Sequence, residues 1–268
     1  MLSWKPCSNL HSELRPYVQS IALIEGSSGN LPVRNLPTGN VQVLMQISER
    51  SARCEEGESH QINGPQFSVI GQRNRYSLYT PAPDTRILCI EFYPHSASAF
   101  FREPLVNLYN LTIAAADLWP QTDLLARILD ARDNDEIFAL VQRELLLRLR
   151  QDRALEQRID LLQNVLTELN AAKPSTMTNL SRKFGLHRRA LERLFREYIG
   201  LSPAAYARVS RITRAAKIVA TDDGFAAIDY ALDQGFFDQA HFNHDFKAIV
   251  GLSPTEYRNS VANIQDLH

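Results

Sequence analysis

The chain repeats itself at a fixed interval. Gly200-Leu201-Ser202-Pro203-Ala204-Ala205-Tyr206 returns 51 residues later as Gly251-Leu252-Ser253-Pro254-Thr255-Glu256-Tyr257. At the same offset Leu191, Phe195 and Arg196 return as Phe242, Phe246 and Lys247. An offset that holds through both a turn and an apolar pair means one supersecondary unit built twice. In each copy Ser-Pro supplies an N-cap and a first residue whose fixed φ suits a helix. A helix from about Ala204 to Ala220 joins the two copies.

The first copy shows what the unit is. Thr176 can cap a helix through Leu180 and Phe184 that stops at Gly185, and a second helix runs from near His187 to Tyr198. Helix, a glycine turn of about four residues and helix is the helix-turn-helix layout. Gly185 fits the turn because such a bend needs a positive φ. The second helix has two faces. Ala190, Leu191, Leu194 and Phe195 point inward, while Arg188, Arg189, Glu192, Arg193 and Arg196 point out. Arginines on such a face can fork onto guanine O6 and N7 or clamp phosphates. Taken alone, the helix fits a solvated basic surface equally well.

The formal charge of −1 conceals a division. Lys173 to Lys217 holds eleven bases, Lys183, Arg182, Arg208, Arg211 and Arg214 among them, against Glu192 and Glu197, a net of +9. Ile218 to Asn259 holds two bases against seven acids, a net of −5. Charge concentrated in one segment suggests a polyanionic partner.

Upstream, to about Arg150, the pattern is mixed. Asn40 to Ser48, Gln66 to Ile70, Tyr76 to Thr80 and Arg86 to Tyr93 read as strands, with Leu88, Ile90 and Phe92 on one face of the last. Glycine, asparagine and proline clusters separate them like turns in an antiparallel sheet, which predicts a β-sandwich or barrel. Arg73, Arg75, Tyr76 and Tyr79 lie beside these turns and read either as lining of an interior that holds a small ligand or, with more weight, as surface. Asn134 caps a predicted helix with Ile137, Leu140, Val141, Leu145 and Leu149 on one stripe, which suits either an interface or an internal core. A second stripe runs through Leu155, Ile159, Leu162, Val165, Leu166 and Leu169 to the break at Lys173-Pro174. At 268 residues and 44% apolar content the chain suits two domains, with the seam near Arg150 to Arg153.

The repeat resembles the AraC/XylS family of bacterial transcription regulators. The residues that carry the resemblance are GLHRRALERLFREYIGLSPAAYARVSRITRAAKIV and, more closely, Gly235-Phe236, Asp238-Gln239, His241-Phe242, Phe246-Lys247, Gly251, Ser253-Pro254 and Tyr257-Arg258. The match covers roughly residues 155 to 260. Leu14-Arg-Pro-Tyr-Val18, Leu36-Pro-Thr-Gly39 and Ile90-Glu-Phe-Tyr-Pro94 before Phe100-Phe101 are similar to a sensor module found ahead of that domain.

The resemblance implies an α+β chain. It has an N-terminal cupin-like β-barrel or sandwich with trailing helices (1–151), an all-α domain of two helix-turn-helix motifs joined by a linker helix (152–260), and a short tail (261–268). It implies a partner in double-stranded promoter or operator DNA, a small-molecule effector or a second copy at the N-terminal part, and RNA polymerase if the protein is an activator. In the first copy the base-facing residues would be Arg189, Glu192 and Arg193, with Arg196 on the same basic face and His187 and Arg188 near phosphate. An i,i+4 ion pair from Arg188 is the alternative for Glu192. In the second copy Gln239, Asn243 and His244 take the matching face, with Ala240 beside them, and His241 takes a buried position. That copy departs from the pattern: Asp245 follows His244, and Ala226 and Phe237 stand where capping Ser or Thr is common. If its acidity keeps it off the bases, the chain is instead a sequence-tolerant DNA-binding or protein-interaction module.

An enzyme is not expected. His11, His60 and His95 form no metal-ligand spacing, Cys7, Cys54 and Cys89 are scattered, and no nucleophile or phosphate-loop signature is visible, so no cofactor is expected. No apolar run approaches the roughly 20 residues of a membrane span. The opening MLSWKPCSNL lacks the layout of a secretory signal, which predicts a cytoplasmic protein without a membrane partner.

Overall fold

A computed structural model describes residues 2–26, 33–48, 53–56, 61–63, 66–81, 84–171, 175–221, 236 and 238–261, with 53–56 and 61–63 described by their backbone. His60, Lys173, Pro174, Ala226, Phe237 and residues 262–268 lie outside the described residues, as does the side chain of Cys54. The chain is α+β. Among the described residues ten strands form: β1 (Leu2–Pro6), β2 (Val18–Gly26), β3 (Val33–Asn35), β4 (Gln42–Gln46), β5 (Arg53–Glu56), β6 (Gln61–Asn63), β7 (Phe67–Ile70), β8 (Ser77–Thr80), β9 (Thr85–Phe92) and β10 (Thr112–Ala114). They form a six-stranded sheet ordered β1-β2-β9-β4-β7-β10 and a four-stranded sheet ordered β3-β8-β5-β6, with every pairing antiparallel.

The central strand β9 of the larger sheet is buried on both faces, which explains its near-continuous apolar run. Leu88, Ile90 and Phe92 join Ile21, Leu23, Val43 and Met45 against the helices, while Ile87 and Cys89 turn the other way with their sheet neighbours Ile24 and Leu44, toward Tyr79 of the smaller sheet. The period of two along each strand sorts the residues this way. Two 3-10 turns (Ala97–Ala99 and Leu105–Leu108) lie between β9 and β10, and helices α1 (Ala115–Leu118), α2 (Leu124–Leu129) and α3 (Asn134–Arg148) follow β10. Trp119 anchors this region. It stacks on Phe101 at 5.3 Å and donates its indole N–H to the Phe100 carbonyl at 3.1 Å.

The cap of α3 differs from expectation by one residue. Asp133, not Asn134, accepts from the Glu136 N–H at 2.8 Å, because the carboxylate one position earlier reaches the unpaired donor of the first turn. The α3 stripe serves the internal core, with Ile137, Val141 and Leu145 buried. Helix α4 (Arg153–Leu169) buries every residue of its predicted stripe. It does so in one core that runs from the sheet into the helices beyond. The joint before it is packed rather than loose: the Arg150 N–H donates to Ala99 O at 3.0 Å.

The repeat folds as twice-built helices, α5 (Met177–Phe184), α6 (Arg188–Tyr198) and α7 (Pro203–Thr221), then α8 (Gln239–Val250) and α9 (Pro254–Val261). Helices α6 and α8 start 51 residues apart, as do α7 and α9. Gly200 at φ +90° and Gly251 at φ +84° close α6 and α8 in the left-handed region, where a side chain is strained. Ser202 Oγ accepts from the Ala205 N–H. Ser253 and Glu256 form a reciprocal capping box, with Ser253 N–H on Glu256 Oε2 at 2.7 Å.

Candidate nucleic-acid interface

Local sequence places α6. Thr176 Oγ1 accepts from the Asn179 N–H, Gly185 turns at φ +64°, and α6 begins after His187. Its apolar side holds it down, with Leu191, Phe195 and Tyr198 buried. Arg189, Arg193 and Arg196 stand exposed at i, i+4, i+7 spacing, one face of the helix, and His187 and Arg188 are exposed at its start. Arg188 Nε lies 2.9 Å from Glu192 Oε1. The i,i+4 alternative is therefore realised in the unbound protein. An exposed pair of this kind is worth about 0–1 kcal/mol, too little to prevent either partner from turning to a nucleic acid.

The structure revises the charge count. Lys183 pairs with Glu168 at 2.7 Å, and with the Ser175 hydroxyl it holds the Glu168 carboxyl below its ordinary value. Arg214 donates to the Asn170 carbonyl at the end of α4, at 2.8 Å. Arg211 lies over the Phe236 ring at 4.6 Å, and Arg208 binds Asp245 at 2.6 Å. Of the eleven bases counted, Arg182, Arg189, Arg193, Arg196 and Lys217 remain exposed without an ion pair among the described residues. Lys183→Ala is accordingly expected to change the salt dependence of DNA binding by less than one phosphate contact. Titration of affinity against salt would measure this, and a slope shallower by a full contact would show that Lys183 leaves Glu168 for phosphate.

In the second copy Asp238 caps α8 by accepting from the His241 N–H at 2.8 Å. Gln239, Ala240 and His244 are exposed, and Asn243 is half-buried on the same side. Two expectations change. His241 is not buried. Its side chain is about half exposed, with its ring edge toward Phe236 and Nε2 3.6 Å from Asp245. Asp245 is not a surface charge: it is 5% exposed and held between Arg208 and His241. The sequence analysis counted it among the acids of the second copy. The signal that could have found it is the repeat itself, because the offset of 51 lays Asp245 on Leu194 and His241 on Ala190, both inward positions.

The turn residues are also placed differently. Arg73 is buried and donates to Thr112 Oγ1 at 2.7 Å, and Tyr76 packs against the core of the second copy. Tyr76 is drawn inward because the helical part covers that turn, whereas Arg73 is held within the β-rich part by its bond to β10. Arg75 alone of the four is fully at the surface, since Tyr79 is half-buried under β9. Elsewhere His11 is exposed, His95 is buried, and Cys7 and Cys89 are free thiols. Among the described residues no group of three or more His, Cys, Asp or Glu is placed to hold a metal, and no helix is long and apolar enough to cross a membrane.

Residues 180–260 match the profile of a helix-turn-helix domain, and residues 10–114 match that of a domain of unknown function (DUF6597). The chain is 34% identical over 103 residues to the HTH-type transcriptional activator AarP of Providencia stuartii, covering 38% of this chain and 76% of AarP. It is 31% identical over 117 residues to YkgA of Escherichia coli, covering 41% of this chain and 48% of YkgA, so it spans about half the length of that relative. Among solved structures, ToxT from Vibrio cholerae is similar over 97% of each chain at 14% identity and a TM-score of 0.46.

Proposed function

The chain belongs to the AraC/XylS family of transcriptional regulators, and from that premise we propose that it binds double-stranded promoter or operator DNA with both copies of its repeat. In this reading α6 and α8 each enter the major groove, about one helical turn apart. The observation that carries it is the division of α6 into a buried apolar side and an exposed row of Arg189, Arg193 and Arg196. A row of arginines on a helix held by its opposite side suits guanine edges and flanking phosphates. His187 and Arg188 sit at the helix start, where phosphates are met, and Glu192 can accept from a cytosine amine once Arg188 releases it. In α8 Gln239, Asn243 and His244 would do the reading. The burial of Asp245 against Arg208 supports this, because the carboxylate that follows His244 is neutralised inside the fold and does not stand on the exposed face.

We divide the chain into a sensing or dimerising part to about residue 151, the DNA-binding part to 260 and a tail beyond. The protein acts as a cytoplasmic binding protein rather than an enzyme. A small-molecule effector or a second copy acts at the first part, and RNA polymerase is the further partner if the regulator is an activator. The test is selection of bound sequences from a random duplex library, followed by salt titration on the winner and a scrambled control. Two recognition blocks about ten base pairs apart are expected. A single block would leave α8 a passive support, and equal salt-sensitive affinity for all sequences would sink the reading. At the selected site Arg193→Ala is expected to cost about 1–3 kcal/mol and relax one base position. An equal loss on scrambled DNA would make Arg193 a phosphate contact.

A further inference from the structure

The two copies of the repeat meet the β-rich part through the same element, the glycine turn that closes each reading helix. A Cβ built on Gly200 would stand 2.8 Å from the Leu105 carbonyl oxygen and 3.3 Å from Gln72 Cγ. One built on Gly251 would stand 2.2 Å from Tyr76 Cε1 and 2.7 Å from Arg34 Nη1. Neither approach leaves room for a side chain. Gln72 and Tyr76, which lie under the two turns, belong to one short segment after β7, and four residues span at most about 14 Å. The segment is pinned at several points. The Gly71 N–H donates to Leu111 O, the Asn110 N–H to Gln72 O and the Asn74 N–H to Asn110 Oδ1, while Arg73 donates to Thr112 Oγ1. By contrast, α7 is a 19-residue helix about 28 Å long, a long lever between the same two copies.

The second turn is bonded as well as packed. A helix leaves its last four carbonyls without internal partners. In α8 two of these are taken by the β-rich part, Ile249 O by the Tyr76 N–H at 2.8 Å and Val250 O by Arg34 Nη1 at 2.7 Å. Arg34 also lies over the Tyr76 ring at 4.4 Å. Leu36 enters the core of the second copy, and Thr213 of α7 donates to Pro37 O at 2.7 Å.

We infer that the segment 72–76, with Arg34, is a brace that fixes the two reading helices relative to each other, and that Arg34 and Tyr76 are positioning residues for the spacing of the DNA site. This rests on the two-helix reading proposed above. Moving α8 relative to α6 means breaking the two carbonyl bonds at Ile249 and Val250 or unseating Gly200. The brace therefore narrows the set of half-site separations that both helices can meet.

The test uses the full chain and duplexes carrying the selected two-block site with zero, one or two base pairs added or removed between the blocks. The wild type is expected to lose roughly tenfold in affinity for one base pair, equivalent to about 1.4 kcal/mol. Arg34→Met removes the donor to Val250, and Tyr76→Leu removes the ring over Gly251 while keeping the backbone donor. Each is expected to flatten this profile to a few-fold while leaving affinity for the first block alone unchanged, and Arg34→Lys is expected to restore part of the discrimination. If Arg34→Met fails to fold, Tyr76→Leu carries the test. Variants folded like the wild type with an equally sharp spacing profile would overturn the brace. A wild type whose affinity ignores the second block would overturn the two-helix reading beneath it.

Discussion

Phe246→Ala is expected to remove about 3–5 kcal/mol of stability and to silence the second reading helix while sparing the first. Phe246 is fully buried, with ring contacts to Phe242 at 5.6 Å and Tyr257 at 5.9 Å. The core around it is small, built from α8, α9 and one face of α7 with Leu36, so little remains to close the cavity. Its repeat partner Phe195 lies instead in the large core that is continuous with the sheet. Denaturant unfolding would give the loss, and footprinting on the two-block site would show protection kept at one block and lost at the other. Protection of both blocks after a loss of that size would mean that the second copy is held by its neighbours rather than by its own core.

Acidification is expected to remove about 3 kcal/mol between pH 6.5 and pH 4 through one residue, His95. It is 6% exposed and stacked on Tyr93, and burial lowers its pKa from 6.5 to about 4, against a weaker upward pull from Asp160. The folded protein therefore keeps the imidazole neutral in a range where the unfolded chain binds a proton. The His95 contribution is full above pH 6.5, falls as the pH drops toward 4 and levels off below. The carboxylates held under their ordinary values, Glu25 and Glu168 among them, weaken the fold only at lower pH, as they protonate. Among the described residues the slope between pH 6.5 and 5 is therefore expected from His95. Denaturant titrations at pH 7, 6, 5 and 4 would measure it, and His95→Gln should be nearly flat over the upper half of that range. The same slope in His95→Gln would assign the proton to another group.

The strands foreseen from β-branched density, β4, β7, β8 and β9, all form, with ends shifted by one or two residues. β2 escaped notice although Val18 to Gly26 carries a similar apolar run. It begins inside the Leu14-to-Val18 motif, and a bulge between Val18 and Ser20 breaks its alternation where it pairs with β9. The short strands β3, β6 and β10 are three residues each, below the length at which a period of two can be read.

What the sequence determined by itself is local and periodic: the twofold repeat, the caps at Thr176, Ser202 and Ser253, the turn at Gly185 and the sorting of α6 into two faces. The repeat is legible as a constant offset of 51 residues. The caps, the turn and the two faces follow from residues within one or two turns of one another, where spacing alone settles which side chains meet. Only the tertiary structure decided which charges stay available and what holds the two copies in register. Lys183, Arg208 and Asp245 look alike in a charge count, yet each is claimed by a partner 15 or more residues away. Arg34 reaches Val250 across 216 residues and Thr213 reaches Pro37 across 176. Contacts between such distant positions leave no period in one chain, because they depend on how whole elements pack and not on the spacing within any of them.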